Sequence, residues 1–182
     1  MLEGWSEFYL MVGSSAAALI GLLFVVATLT ADMEERRVLR GQRLFMTPTV
    51  FHFAVVFVIS AVGTVEHMAA ETIAIVTAAA ALIGFLYMLP RLADQMKPNA
   101  TEHWTDIIFY GLSPMAGYLA LGVTAWTVFD GLPIATMLLA GMMLGFLLLG
   151  IRNAWDLVTW IAPRTHRPDP PDISKDRRKD SS

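Results

Sequence analysis

The sequence predicts an all-α integral membrane protein, a bundle of five transmembrane helices with the N-terminus outside and the C-terminus in the cytoplasm. Three observations lead to this prediction: the apolar composition, five long uncharged runs, and the confinement of basic residues to one side. Hydrophobic residues make up 55% of the 182 positions and charged residues 16%, and the mean hydropathy is +0.55. Because one soluble core of this size could not bury so much apolar surface, the excess must face lipid.

Charged residues divide the chain into five uncharged runs, at 8–31, 44–65, 72–90, 107–129 and 131–151. Each run is close to the roughly 20 residues that a helix needs to cross about 30 Å of hydrocarbon. Helices are required because unpaired backbone amides are too costly in lipid. The short links between the second and third runs, and between the fourth and fifth, place those helices side by side and antiparallel.

A shorter segment, 151–162, follows the fifth run and completes a predicted membrane domain that covers 1–163. Its apolar residues recur at helical spacing, so we expect an amphipathic helix at the inner interface. The residues expected to face away from its apolar side are Arg152, Asn153, Asp156 and Thr159. The polar, proline-rich remainder, 164–182, is typical of a disordered cytoplasmic tail.

Orientation follows from the 13 Lys and Arg residues, which all fall on one side of the five-span topology. The positive-inside rule makes that side cytoplasmic. A span more or fewer would scatter these residues over both faces. They occupy three segments: Arg36, Arg37, Arg40 and Arg43; then Arg91 and Lys97; then Arg152, Arg164, Arg167, Lys175, Arg177, Arg178 and Lys179.

Prolines mark two further features of the spans. Thr47 and Pro48 resemble an N-cap followed by the first helical residue, so the second helix is expected to restart there. Ser113 and Pro114 lie inside the fourth run and predict a kink.

His52 is the titratable residue that lies well inside a span, and Thr47, Thr49 and Ser60 are the polar residues near it in the sequence. Ionisable residues inside membranes are expensive and often functional, so these four residues form a candidate proton relay or gate. The alternative is structural: near the inner headgroups a neutral His52 would simply hydrogen-bond a facing helix.

The loop between the second and third spans carries Glu66, His67 and Glu71, which are residue types that bind divalent metals. No spacing motif supports a metal site there, and Glu71 is explained equally well by the dipole of the helix that it precedes. The chain has no cysteine, which excludes disulfides, thiolate metal sites and cysteine nucleophiles. We therefore predict no metal, cofactor or catalytic residue.

Small residues recur at four-residue spacing on two spans. Gly13, Ala17 and Gly21 lie on the first, and Gly141 and Gly145 on the fifth. Such spacing lets helix backbones approach closely and gain dispersion contacts in lipid. Two interpretations stay open: packing within one subunit, or a seam between the subunits of a homo-oligomer.

Several short sequences resemble a group of small uncharacterised bacterial inner-membrane proteins of no known activity. They are Trp5 with Phe8-Tyr9, the run of residues 16–25, and Thr47-Pro48-Thr49 followed by His52-Phe53. The resemblance covers the first two spans and implies a multi-pass protein of the bacterial plasma membrane.

Three functional hypotheses follow. The first is a self-associating channel or transport-related component, and the second is an accessory subunit that binds and modulates a larger membrane complex. The third, an intramembrane enzyme, ranks last because such enzymes need paired acids or a nucleophile beside a base, and the four histidines are scattered. The expected partners are the lipid bilayer and another copy or a membrane protein; nucleic acid is not expected, because the basic residues are few and mixed with acids.

Overall fold

The computed structural model of the chain describes residues 4–29, 46–95 and 107–161. Within these ranges the fold is all-helical and contains no strand. The described residues form five α-helices and one π-helical segment, 107–112, which leads directly into α4. The helices are α1 (Ser6–Leu29), α2 (Thr47–Gly63), α3 (Ala70–Gln95), α4 (Ser113–Phe129) and α5 (Ala135–Ile161).

Three of these helices contain stretches long and apolar enough to cross a membrane, namely Ser6–Leu29, Ala70–Ala93 and Ala135–Thr159. The helix of the second predicted span, α2, has 17 residues, and α4 in the fourth span also has 17. Both are shorter than the roughly 20 residues that a complete crossing needs. Five crossings were predicted. Three of the five helices meet this length requirement by themselves, and α2 and α4 do not.

The ends of the two shorter helices explain their length. The α2 helix is capped by Met46, with Pro48 in its first turn, so Thr47 is already helical and the expected threonine N-cap was wrong. At the start of α4, Pro114 cannot donate a backbone hydrogen bond to the preceding turn. The π-helical segment 107–112 lies just before it, so the helix type changes at Ser113 in the fourth span.

The helices pack as two antiparallel pairs with α5 between them. The most extensive contacts join α3 to α4 and α1 to α2, and α5 contacts both α4 and α2. The direction of α1 against α2 follows from two contacts: Gly13 faces Ser60, and Tyr9 faces Gly63. Residue numbers rise along α1 in the direction in which they fall along α2, so the two helices are antiparallel.

Three glycines let aromatic rings lie directly on a neighbouring helix. A Cβ atom on Gly63 would come within 2.8 Å of the ring of Tyr9. A Cβ atom on Gly84 would overlap the ring of Tyr118, and one on Gly150 would overlap the ring of Phe53. Each of these three helix contacts therefore depends on the absence of a side chain at one glycine, which allows close dispersion contact.

The outward side of the bundle is apolar. Leu29 is 77% exposed, Met137 68% and Leu148 67%, and exposed large apolar side chains occur on all five helices. In contrast, no Asp, Glu, Lys or Arg side chain is buried among the described residues. This inverted pattern is what a surface needs when hydrocarbon rather than water surrounds it.

A single helix, α5, contains most of the fifth predicted span and most of the segment predicted as a separate interfacial helix. Its 27 residues extend for about 40 Å at 1.5 Å per residue, which exceeds the hydrocarbon thickness of about 30 Å. The expectation that Asn153 faces away from the apolar side was wrong, because Asn153 is 1% exposed. It continues the inward stripe of α5, whose members recur at three or four residues: Leu139, Met143, Phe146, Gly150, Asn153 and Leu157.

The turn between α4 and α5 has a well-defined helix end. The backbone N–H of Leu132 donates to the carbonyl of Thr127, and that of Gly131 donates to Val128. This is the Schellman pattern, which needs a left-handed residue just after the cap. Gly131 supplies it with a φ of 66°. The predicted link is therefore a tight reversal, after which α5 starts at Ala135.

Some predictions fall on residues outside the described ranges. These are the ends of the first and second spans that face each other, at 30–31 and 44–45, and the basic segments 36–43 and 164–179. The segment 164–182, which was predicted to be a disordered tail, also lies outside the described residues.

Replacing Gly84 with alanine tests the contact between ring and glycine. Gly84→Ala forces the Tyr118 ring away from α3, so we expect the free energy of unfolding in detergent micelles to fall by about 1–3 kcal/mol. The control is Gly21→Ala, because a Cβ atom there meets nothing within 4 Å. Titration with a denaturing detergent, followed by circular dichroism, measures both. Equal stability of the two variants would contradict this packing.

Candidate functional site

His52 lies at the centre of the bundle, where α2, α4 and α5 meet. The side chain is fully buried, and its Nδ1 atom lies 2.6 Å from the hydroxyl oxygen of Tyr118 on α4. The ring of Phe146 on α5 lies 5.8 Å from the imidazole, measured between ring centroids. Tyr118 is the sixth residue of α4, as His52 is of α2. The pair therefore lies in the second turn of both helices and is enclosed by the neighbouring helices.

Aromatic rings surround this pair. The Tyr118 and Phe146 centroids are 4.8 Å apart, and Phe51 lies 6.1 Å from Tyr118. Phe51 in turn stacks on Tyr87 at 4.9 Å. Arg91 donates a hydrogen bond to the Tyr87 hydroxyl at 2.9 Å. A continuous set of rings therefore connects the buried imidazole with the end of α3 that carries a guanidinium group.

Tyr118 is held in place by α3 as well as by His52. Its ring fills the space above Gly84, so it cannot swing toward α3. Rings that lie on a glycine and between other rings have few alternative rotamers. The hydroxyl is therefore presented to His52 at a fixed position.

The imidazole uses one of its two nitrogens. If the proton is on Nε2, the Tyr118 hydroxyl donates to Nδ1; if the proton is on Nδ1, the imidazole donates to the hydroxyl oxygen. In either tautomer the buried Nε2 atom has no hydrogen-bond partner among the described residues. An unpaired buried polar atom is costly and needs an explanation, of which a functional role is one.

Such an imidazole can take up a proton at one nitrogen and release another from the second, because the two tautomers are close in energy. Tyr118 can pass a proton in the same direction through its hydroxyl. The buried polar residues of the described chain are Thr49, His52, Ser60, Thr77, Thr124, Thr136 and Asn153. None of them is a carboxylic acid, so His52 has no buried acid as a partner there.

The four residues predicted as one polar site are not all brought together. Thr49 and Ser60 are fully buried like His52, whereas Thr47 is exposed. Ser60 lies eight residues beyond His52, a rise of about 12 Å along the helix, and its Cβ faces Gly13 on α1. His52 and Ser60 therefore belong to two different helix contacts.

Several polar residues of the interior were not predicted, among them Tyr118 and Asn153. Tyr118 is 1% exposed and Asn153 1% exposed, and the Oδ1 atom of Asn153 has no hydrogen-bond partner in the described part of the chain. A tyrosine in the middle of an uncharged run, away from the membrane interface where tyrosines concentrate, was the signal for Tyr118. For Asn153 the signal was its place in the stripe of α5, at three residues from Gly150.

The small residues predicted as a seam divide between the inside and the outside. Gly13 packs on Ser60, and a Cβ atom there would come within 2.9 Å of the serine Cβ. Ala17 is exposed. The remaining three, Gly21, Gly141 and Gly145, have nothing within 4 Å of an added Cβ atom, so they leave open space on the outside of the bundle.

The loop residues Glu66, His67 and Glu71 are exposed. No group of three or more metal-ligating residues comes together within the ranges 4–29, 46–95 and 107–161. These three side chains therefore do not form a metal site in the described structure.

Comparisons of the chain with protein-family models, curated proteins and solved structures find no match. The resemblance to small bacterial inner-membrane proteins is neither supported nor contradicted by them and stays a prediction.

Replacing Tyr118 with phenylalanine tests the buried pair. Tyr118→Phe removes the only partner of His52 Nδ1 and leaves both ring nitrogens unpaired, so we expect the free energy of unfolding to fall by about 1–2 kcal/mol. Tyr87→Phe is the matched control. It removes a hydroxyl that pairs with the half-buried Arg91, and should cost less than about 1 kcal/mol. Unfolding in mixed micelles measures both.

A double variant completes the test. Replacing both partners of a buried hydrogen bond with apolar groups is nearly neutral, so His52→Phe with Tyr118→Phe should recover much of the stability lost in Tyr118→Phe. Simple addition of the two single effects would contradict a direct hydrogen bond between the side chains.

Proposed function

We propose that the chain is an integral membrane protein that crosses the bilayer five times, with its N-terminus outside and its C-terminus in the cytoplasm. Three helices have the necessary length. Apolar sequence next to α2 and α4 supplies the missing residues of the other two crossings, through 44–46 and the π-helical segment 107–112. All five helices pack side by side with apolar residues outward, which supports a common orientation along the membrane normal.

Charge supports the proposed orientation. Arg91 and Arg152 lie at the end of the bundle where α3 finishes and where α5 passes beyond α2. The opposite end carries the acids Glu66, Glu71 and Asp130, and no Lys or Arg of the described residues lies there. Basic residues stay in the cytoplasm, so the acidic end faces outward. The setting that we propose is a bacterial plasma membrane, which is what the resemblance in the first two spans implies.

Within that membrane, we infer that the protein acts as a self-associating, transport-related component in which His52 relays a proton. The observation that carries this proposal is the buried imidazole with one nitrogen held by Tyr118 and the other unpaired. Intramembrane ionisable residues mark ion and proton pathways. The rings of Tyr118 and Phe146 lie 5.6 Å and 5.8 Å from the imidazole, measured between ring centroids, which favours a proton over a hydrated ion as the species transferred.

The glycines on the outside of α5 support self-association. Gly141 and Gly145 lie one turn apart with open space over both, and this spacing suits close packing of a second membrane helix. The same surface also supports the second candidate function, an accessory subunit, because a helix of a larger complex could pack there as well as another copy. An intramembrane enzyme has no comparable support.

Purification in mild detergent, with the mass of the particle and its composition determined, separates the two candidates. We expect a homo-oligomer, and Gly145→Ile should reduce it to single protomers because the side chain prevents close approach of the backbones. Constant recovery of a different membrane protein would favour the accessory subunit. A wild-type protein that stays a lone protomer would contradict self-association.

Proton flux into liposomes, followed by an enclosed pH-sensitive dye, tests transport. We expect flux above that of protein-free vesicles, and its loss in His52→Phe, because a phenyl ring cannot carry a proton. His67→Phe is the matched control: it changes a histidine in an exposed loop and should keep the flux. Wild-type vesicles that match empty ones at every pH and voltage would contradict the proposal.

A further inference from the structure

A groove runs between α3 and α4 at the end of the bundle that carries no Lys or Arg. It has a volume of about 460 Å³ and opens on the surface of the bundle. Its floor consists of small residues: Ala74 and Ala78 from α3, and Gly122 and Ala125 from α4. We call it the α3–α4 groove.

Small side chains on both helices explain why the groove exists. Deeper in the bundle the two helices are in direct contact, since a Cβ atom on Gly122 would lie 3.8 Å from that of Ala81. Toward the helix ends the small residues leave the space unfilled. Ile75 and Phe129, which are 64% and 62% exposed, rise on either side as walls.

The dimensions of the groove suit a hydrocarbon chain. It extends from the end of α4 to the level of Ala78, which is eight residues into α3 and about 12 Å along the axis. One leaflet of the bilayer provides about 15 Å of hydrocarbon. Because the floor and walls are apolar and face the proposed lipid phase, an acyl chain that lies parallel to the helices fits them.

The mouth of the groove has a different chemistry. The indole N–H of Trp126 donates a hydrogen bond to Oδ2 of Asp130, which fixes the carboxylate beside the groove and leaves Oδ1 available as an acceptor. Trp126 is 70% exposed, so its ring face is open. A carboxylate beside an indole face attracts a cation through charge and through the ring quadrupole.

The charges at this end of the bundle select among headgroups. Glu7, Glu66 and Glu71 are further acids there, and neither of the two described basic residues, Arg91 and Arg152, lies at this end. Anionic headgroups are repelled by this set. A primary ammonium is favoured over a quaternary one, because only the primary ammonium can donate N–H hydrogen bonds to Asp130.

We propose that the α3–α4 groove binds a phospholipid with an ethanolamine headgroup, one acyl chain lying on Ala74, Ala78, Gly122 and Ala125 and the ammonium held by Asp130 and Trp126. This site goes beyond the proposed proton relay and involves none of its residues. It would bind one specific lipid more tightly than the surrounding bilayer lipids.

Native mass spectrometry of the intact protein tests this site. The protein is exchanged into an equimolar mixture of phosphatidylethanolamine, phosphatidylcholine and phosphatidylglycerol with identical acyl chains, and the lipids retained on the protein are counted. We expect one phosphatidylethanolamine to be retained with about fivefold preference over the others, a size typical of a partly exposed cation site.

Two variants separate the two parts of the site. Asp130→Asn should abolish the headgroup preference while a lipid is still retained, because the groove is unchanged. Gly122→Leu fills the groove and should remove the retained lipid whatever its headgroup. Ala120→Leu adds similar bulk to an exposed position of α4 outside the groove and should change nothing. Circular dichroism verifies that each variant keeps its helix content.

Two results would overturn the proposal. Equal retention of the three lipids by the wild type and by Asp130→Asn would remove the headgroup site. If Gly122→Leu instead dissociates a dimer and leaves lipid retention unchanged, the groove holds a helix of a second copy rather than an acyl chain.

Discussion

The outward side of the bundle is apolar along all five helices, and the other features of the structure follow from the hydrocarbon that such a surface requires. In hydrocarbon the helices gain nothing from the hydrophobic effect when they meet, since lipid tails are as apolar as leucine. Association then depends on close dispersion contact. The structure provides it by placing an aromatic ring on a bare glycine backbone at Gly63, Gly84 and Gly150. Each ring belongs to a different helix from its glycine, so these contacts fix which helices are neighbours.

The same constraint explains the buried polar residues. A polar atom inside such a bundle has no water to bond, so its partner must come from its own helix, as for Thr124 with the Ala120 carbonyl, or from a facing helix. His52 finds that partner in Tyr118, which is itself positioned by Gly84. The packing contact and the hydrogen bond are thus linked: the ring that joins α3 to α4 also carries the hydroxyl that joins α4 to α2. A change on α3 that moves Tyr118 therefore also affects His52, although the hydrogen bond of His52 goes to α4 and not to α3.

The helical fold was predictable, because uncharged runs separated by charged residues report directly on the solvent that surrounds the chain. The helix ends were less so: Thr47 was expected outside the second helix and is inside it, and α2 and α4 are each 17 residues long. The inward faces could not be predicted. Four-residue spacing marks Gly141 and Gly145 as clearly as any pair, yet they face outward. The glycine of α5 that faces inward is Gly150, and it packs against the ring of Phe53, which comes nearly a hundred residues earlier in the sequence. Tyr118 likewise pairs with His52 across 66 positions, and single-sequence periodicity contains no information on such pairs.

Surface labelling of single cysteines measures most directly whether five helices cross a bilayer with the basic residues on one side. The natural chain has no cysteine, so each introduced thiol reports on one position. In intact cells, a membrane-impermeant maleimide should label His67→Cys and Leu132→Cys, and should label Arg40→Cys and Ser182→Cys only after the membrane is permeabilised. Labelling of Arg40→Cys in intact cells, or protection of Leu132→Cys, would contradict the five-span topology.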